Sequence, residues 1–267
     1  TKRDAVAGMT RDFQQQYNGI LNYTKTIGGQ HNLNLMAGAE YFGVKSLAMQ
    51  VDGQSAPTDD IPTANASTVF TPGSNYSTRS QYSIVSAFGR LNYDYDQRYL
   101  LTMVFRQDAV SSLPKKNRSG FFPGMSAGWN IHREAFYTNA GLAKYISTFK
   151  PRISYGVNGN VAGLGRYEVQ GVYGLQTNYN GQAGFLNTSP VNPELRWEKS
   201  KTTDVGADLG FLENRITVLF DYYNRKTSDL LTYIPLPSYT GYGTFRTNLG
   251  TYQNKDYEVA VTANVLN

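Results

Sequence analysis

The sequence predicts an all-β chain: a portion of an antiparallel transmembrane β-barrel, with short turns at one rim and long loops at the other. Three observations carry this. Apolar and polar residues alternate with a period of two over runs longer than an ordinary globular strand. The 267 residues include Tyr 21, Phe 13 and Gly 26 but only 17% charged residues, a balance that belongs to strands and turns rather than helices. Tyrosines gather where the alternating runs end, as rings do at a membrane interface.

The first hairpin is read over 17–23 and 33–41, joined at Gly28-Gly29-Gln30. A strand over 82–95 then puts Val85, Ala87, Gly89, Leu91, Tyr93 and Tyr95 on one parity. Ser86, Arg90, Asn92 and Asp94 take the other, with Phe88 as the exception. After the tight Asp96-Gln97 connection, Tyr99, Leu101, Met103 and Phe105 oppose Arg98, Thr102, Arg106 and Asp108. Met125, Ala127, Trp129 and Ile131 make the next strand, and 133–147 is expected to form a short helix lying at the short-turn rim. Ile153, Tyr155 and Val157 follow, with Arg152 on the opposite parity. Val205, Ala207, Leu209 and Phe211 oppose Asp204 and Asp208; beyond the Glu213-Asn214 turn, Ile216, Val218, Phe220 and Tyr222 oppose Arg215, Thr217, Asp221, Tyr223 and Arg225. A last strand carries Val259, Val261, Ala263 and Val265, which makes about nine long strands. The alternate ends carry long polar segments at 44–79, 109–117, 159–196 and 228–251, read as loops of one domain.

Alternation alone also fits a soluble sandwich, in which the apolar parity meets a second sheet. The placement of rings discriminates. Tyr93, Tyr95, Tyr99, Trp129 and Phe211 fall near the short turns and read as lipid-interface anchors, while the strand middles carry Val, Leu, Ala and Met on the same parity. The other parity then faces the lumen, and Arg90, Arg106, Asp108, Arg152, Asp204, Asp208, Asp221 and Arg225 are the candidates there for contact with substrate or an internal plug. An odd number of strands cannot close a single-chain bacterial barrel, so 1–267 is expected to be part of a larger barrel domain. A soluble or surface-attached carbohydrate-binding module of all-β fold is the alternative.

Composition narrows the chemistry. Cys 0 removes thiol catalysis and disulfide staples, and His31 and His132 alone do not make a multi-histidine metal site. The net charge of +5 is spread along the chain; its one cluster, Lys115-Lys116-Asn117-Arg118, reads as a solvated loop tip, so no nucleic-acid role is inferred. Gly124-Met125-Ser126-Ala127-Gly128 has the spacing of a nucleophile elbow, but it continues as a strand instead of turning into a helix. The carboxylate pairs Asp59-Asp60 and Asp94/Asp96 read as loop and turn residues. No enzyme activity and no cofactor are inferred. Trp197 is left between a sugar-stacking and a structural role.

Several stretches resemble a known family. Asn117-Arg118-Ser119-Gly120-Phe121-Phe122-Pro123-Gly124-Met125-Ser126-Ala127-Gly128-Trp129, Arg152-Ile153-Ser154-Tyr155-Gly156-Val157-Asn158-Gly159-Asn160 and Asn192-Pro193-Glu194-Leu195-Arg196-Trp197-Glu198 are similar, in order and spacing, to segments of SusC/RagA-type TonB-dependent transporters. So is Asp221-Tyr222-Tyr223-Asn224-Arg225-Lys226-Thr227-Ser228-Asp229-Leu230-Leu231. The resemblance implies an outer-membrane barrel of about 22 strands with a plugged lumen, in a Gram-negative bacterium. It also implies import of glycans or peptides driven through TonB, with a SusD-like surface lipoprotein as lid. On the same grounds the plug and the TonB-contacting extension are expected to lie outside 1–267.

Overall fold

A computed structural model describes residues 3–61, 63–70 and 73–264. Nine long strands dominate it: β1 (Asp4–Ile27), β2 (His31–Gln54), β3 (Tyr76–Tyr95), β4 (Tyr99–Val110), β5 (Ser119–Trp129), β6 (Ile146–Asn160), β7 (Glu198–Phe211), β8 (Ile216–Ser228) and β9 (Thr251–Ala263). They form one antiparallel sheet in strict chain order, with Val69–Phe70 adding a short rung to β2. Val265, expected in the last strand, lies outside the described residues.

Register explains why the alternation was readable. Leu91 pairs with Met103, which pairs with Met125, which pairs with Tyr155. Val205 likewise lies between Ile153 and Tyr222, and Val218 between Leu209 and Val261. The apolar residues paired in this way therefore join one continuous face, as the two-residue side-chain period requires, whereas Val157, at the outer end of β6, packs against buried residues of the outer loops. Among the described residues no second layer covers that face, which only Phe136 touches at the short-turn rim: Leu21 is 78% exposed, Val261 65% and Val259 63%. A soluble protein rarely exposes an apolar patch beyond a few hundred Å², and a sandwich would have covered this one. Such a face requires lipid.

Turns at one rim are tight. Gly28 and Gly29 take positive φ between β1 and β2, while Asp96 and Gln97 do so between β3 and β4 (φ 50° and 53°). Asp94 Oδ1 accepts from the Gln97 amide at 3.0 Å, which holds that turn without a glycine. At the same rim, 3₁₀ turns at Ile131–Arg133 and Leu142–Lys144 flank a short helix α1 (Ala135–Asn139), as expected.

Three boundaries differ from the sequence reading. Ile131 lies in the 3₁₀ turn, because β5 ends at Trp129. The polar segment 44–79 is strand at both ends: β2 runs to Gln54 and β3 begins at Tyr76, so the loop proper is confined to the residues between them. The reason is length. A membrane strand needs about 9–11 residues, whereas β1 and β2 have 24 each. Their outer halves stand above the bilayer, where both faces are wet and alternation fades. Finally, the loops 159–196 and 228–251 contain their own hairpins, Tyr173–Tyr179 with Gln182–Asn187 and Leu231–Pro235 with Thr244–Asn248.

Candidate functional site

The polar face of the sheet carries two charge clusters. In the first, Arg106 on β4 reaches Asp108 Oδ1 at 2.8 Å, Ser86 Oγ on β3 at 2.9 Å and Glu40 on β2 at 3.5 Å. The Arg106 guanidinium also lies 5.6 Å from the centroid of the Phe88 ring, the residue that broke the alternation of β3. In the second, Arg152 on β6 is a hub for three carboxylates. Its two terminal nitrogens meet both Asp221 oxygens at 2.6 Å, Nε donates to Asp208 at 3.0 Å, and Asp204 lies at 3.4 Å. Lys150 adds a second cation 3.5 Å from Asp208.

Gly206 makes this second cluster possible. It sits between β6 and β8, opposite Arg152 and Asp221. A Cβ there would stand 2.8 Å from the guanidinium carbon of Arg152 and closer still to Asp221. Small size at one position thus lets a planar cation lie across three strands, a geometry suited to bidentate carboxylate pairing.

Of the eight residues predicted for the lumen, the structure joins Arg152, Asp204, Asp208 and Asp221 in one cluster and Arg106 with Asp108 in another. Arg225 donates to Thr202 Oγ1 at 3.2 Å and has no ion pair among the described residues. Arg90 is exposed on the same face, with no ion pair among the described residues. Glu40 and Lys150 complete the clusters and are absent from the eight: Glu40 lies in the run 33–41, whose two faces the sequence reading does not separate, and Lys150 precedes the run that begins at Arg152.

Above these clusters the outer loops fold over the polar face and build a core of their own. Val110, Leu113, Phe122, Val169, Leu195 and Trp197 are buried together. Trp197 packs edge-on against Phe122 with ring centroids 5.1 Å apart, and its Nε1 donates to the Arg118 carbonyl at 3.1 Å. Asn117 Nδ2 donates to the carbonyls of Glu194 (3.1 Å) and Leu195 (3.0 Å), and Lys116 pairs with Glu194. Pairing between β5 and β6 stops at Gly124 with Gly156, and beyond it Phe122 lies over Gly159, where a Cβ would come within 2.9 Å of Trp197. The Asn117 and Asn192 motifs are therefore two halves of one clasp. Trp197 is structural, which closes the question left by the sequence; the signal was its apolar partner Leu195 two residues earlier in a polar loop.

Next to the clasp lies a cavity of about 630 Å³. Arg246 stacks over the Tyr233 ring at 4.4 Å from its centroid, and the Tyr233 hydroxyl donates to Glu168 at 3.1 Å. Arg166 is fixed to the wall by Ser46 (2.8 Å) and Ser80 (2.7 Å), and the Asn192 amide donates to the Arg246 carbonyl at 2.8 Å. An aromatic ring, both charge signs and amide groups around one opening can bind a polar ligand with flat apolar faces.

At the opposite rim, the predicted anchors meet on the apolar face. His31, Tyr95, Tyr99, Trp129 and Phe136 form a run of rings with successive centroids 4.8, 6.2, 6.1 and 6.5 Å apart, and Tyr93 joins it at 6.1 Å from His31. Phe211 stands apart from this run, paired with Ile216 at the foot of β7 and β8. Glu134, 7% exposed, accepts from Trp129 Nε1 at 3.0 Å and Arg98 at 3.3 Å. Hydrogen bonds from Trp129 first, then Tyr99, with the Arg98 contact, hold its carboxyl below the ordinary glutamate range.

The family described as TonB dependent receptor-like, beta-barrel matches residues 2–266. TonB-dependent receptor P3 of Formosa agariphila is 34% identical over 91% of this chain and 24% of its own length. TonB-dependent receptor SusC of Bacteroides thetaiotaomicron is 31% identical over 94% of this chain and 25% of its own. Among solved structures, the RagAB peptide transporter superposes with a TM-score of 0.87 at 22% identity, over 99% of this chain and 29% of that one. The chain thus spans about a quarter of the length of these curated relatives.

Proposed function

The chain belongs to the TonB-dependent receptor-like β-barrel family, whose members are transporters of the Gram-negative outer membrane rather than enzymes, and on that premise we propose that it forms one stretch of wall and outer loops of an importer for an oligosaccharide or peptide nutrient. The observation that carries the proposal is the polar face itself: charge clusters on the wall beneath a cavity whose sides are ordered loops. Relatives named for SusC and for peptide transport support the substrate class.

In this reading the ligand is held first between Tyr233, Arg246 and Glu168, and then passes down a wall whose fixed charges engage a plug. A SusD-like lipoprotein covers the outer loops, and TonB supplies the energy through a segment outside this chain. Carboxylate and guanidinium groups on the wall bind and release; none is required to break a bond.

The test is growth. A strain lacking the gene should lose uptake of one class of oligosaccharide or peptide, and the full-length gene should restore it only while the inner-membrane proton gradient is intact. Restoration by a Tyr233→Ala, Arg246→Ala double variant should be weakened although the protein still reaches the outer membrane. Unchanged uptake in the deletion strain across both nutrient classes would remove the proposal.

A further inference from the structure

On the apolar face, beside the short-turn rim, lies a groove of about 470 Å³ lined by Tyr99, Ala127, Trp129, Pro151, Ile153 and Val205. The named side chains share the outward parity, and Ala127 forms the floor because its neighbours in register, Leu101 and Ile153, are both larger. Trp129 closes the rim end. Its indole N–H is committed to Glu134, so only the ring face and edge remain for a ligand, and Phe136 of α1 stacks edge-on against it at 6.5 Å. Phe136 is itself 58% exposed. The Glu134 carboxylate is neutralised by Arg98, and the remaining charge on the connection from β5 to α1 is the exposed Arg133, a cation suited to a lipid phosphate.

We propose that this groove and the α1 segment form a seat for one phospholipid of the periplasmic leaflet, with an acyl chain lying over Ala127 and the headgroup end flanked by Trp129 and Phe136. The groove continues the lipid-facing surface without a break, since its walls belong to the ring run Tyr95–Tyr99–Trp129, and an occupant there is already in hydrocarbon on every other side. An aromatic pair bridging strand and helix stands where the acyl chain meets the headgroup, which suits rings with one apolar and one wet end. The inference rests on the outer-membrane reading.

The experiment places a fluorophore on Ala135→Cys, which leaves Phe136 in place, in the full-length receptor in phosphatidylethanolamine vesicles in which a minor fraction of lipid carries bromine on the upper acyl chain. Quenching should be several-fold stronger than for the same probe at Tyr93, which is on the ring belt but outside the groove. It should fall to the Tyr93 level in Ala127→Phe and in Val205→Phe, each of which fills the groove from a different strand. Equal quenching at 135 and 93, or quenching at 135 indifferent to both substitutions, would overturn the seat. A probe at Leu101 serves as control: free access of aqueous iodide there would count against the membrane reading instead.

Discussion

Arg152 organises more of the polar face than any other side chain. It lies in a strand whose sequence signal is only alternation, and the three aspartates it gathers come from two other strands, 52 to 69 residues away. Parity placed all four groups on one face; it did not show that they converge, because convergence depends on register and on the missing side chain at Gly206. Removing the cation should leave Asp204, Asp208 and Asp221 repelling one another. Arg152→Leu is predicted to destabilise the folded barrel by roughly 1–3 kcal/mol, the range for hydrogen bonds to charged groups, and near its lower end because these side chains are partly exposed. Urea titration of the full-length protein in lipid checks this, and no change in midpoint would mean that other groups hold the wall.

The helical foot at the short-turn rim is an element whose stability has a pH signature. Its composition was legible from 133–147, but the clamp on Glu134 was not, since Trp129, Tyr99 and Arg98 meet it only through the turns that bring β4 and β5 together. The carboxyl titrates lower in the folded protein than in the unfolded chain, where glutamate titrates near about 4.3. Its contribution is therefore complete above that value and is lost as pH falls through the lower folded value. Protection of the amides over 131–145 against hydrogen exchange, taken relative to the intrinsic rate at each pH, should stay high at neutral pH and fall on acidification in that window. In Glu134→Gln protection should be lower throughout and no longer vary with pH in that window; an unchanged profile in that variant would refute the clamp. The β1–β2 hairpin teaches the complementary lesson. Alternation marked only the part of it that crosses lipid, since above the bilayer no environment distinguishes the two faces of a strand.

At the scale of the molecule, an oily face and a wet face run across nine strands in chain order, with one register shift at Gly210/Phe211 between β7 and β6, and lipid on one side is what makes that sheet stable. A charge on the oily face near the bilayer midplane is predicted to cost about 2–4 kcal/mol, so Leu101→Arg or Val218→Arg should reduce heat-modifiable folding of the full-length protein in vesicles. The loop core at Trp197 was invisible as an element because its residues come from two separate loops and from β4 and β5, and only packing shows that the Asn117 and Asn192 motifs share one purpose. The central claim, that this sheet is a membrane wall, is tested most directly by nitroxide labels placed one at a time along 99–107 of the full-length protein in vesicles. Collision with dissolved oxygen should peak at 99, 101, 103 and 105, and collision with a water-soluble nickel chelate should be lowest there, giving a period of two with opposite phase for the two probes. Access of the nickel chelate to both parities, or exclusion of both probes from the odd positions as in a protein core, would contradict it.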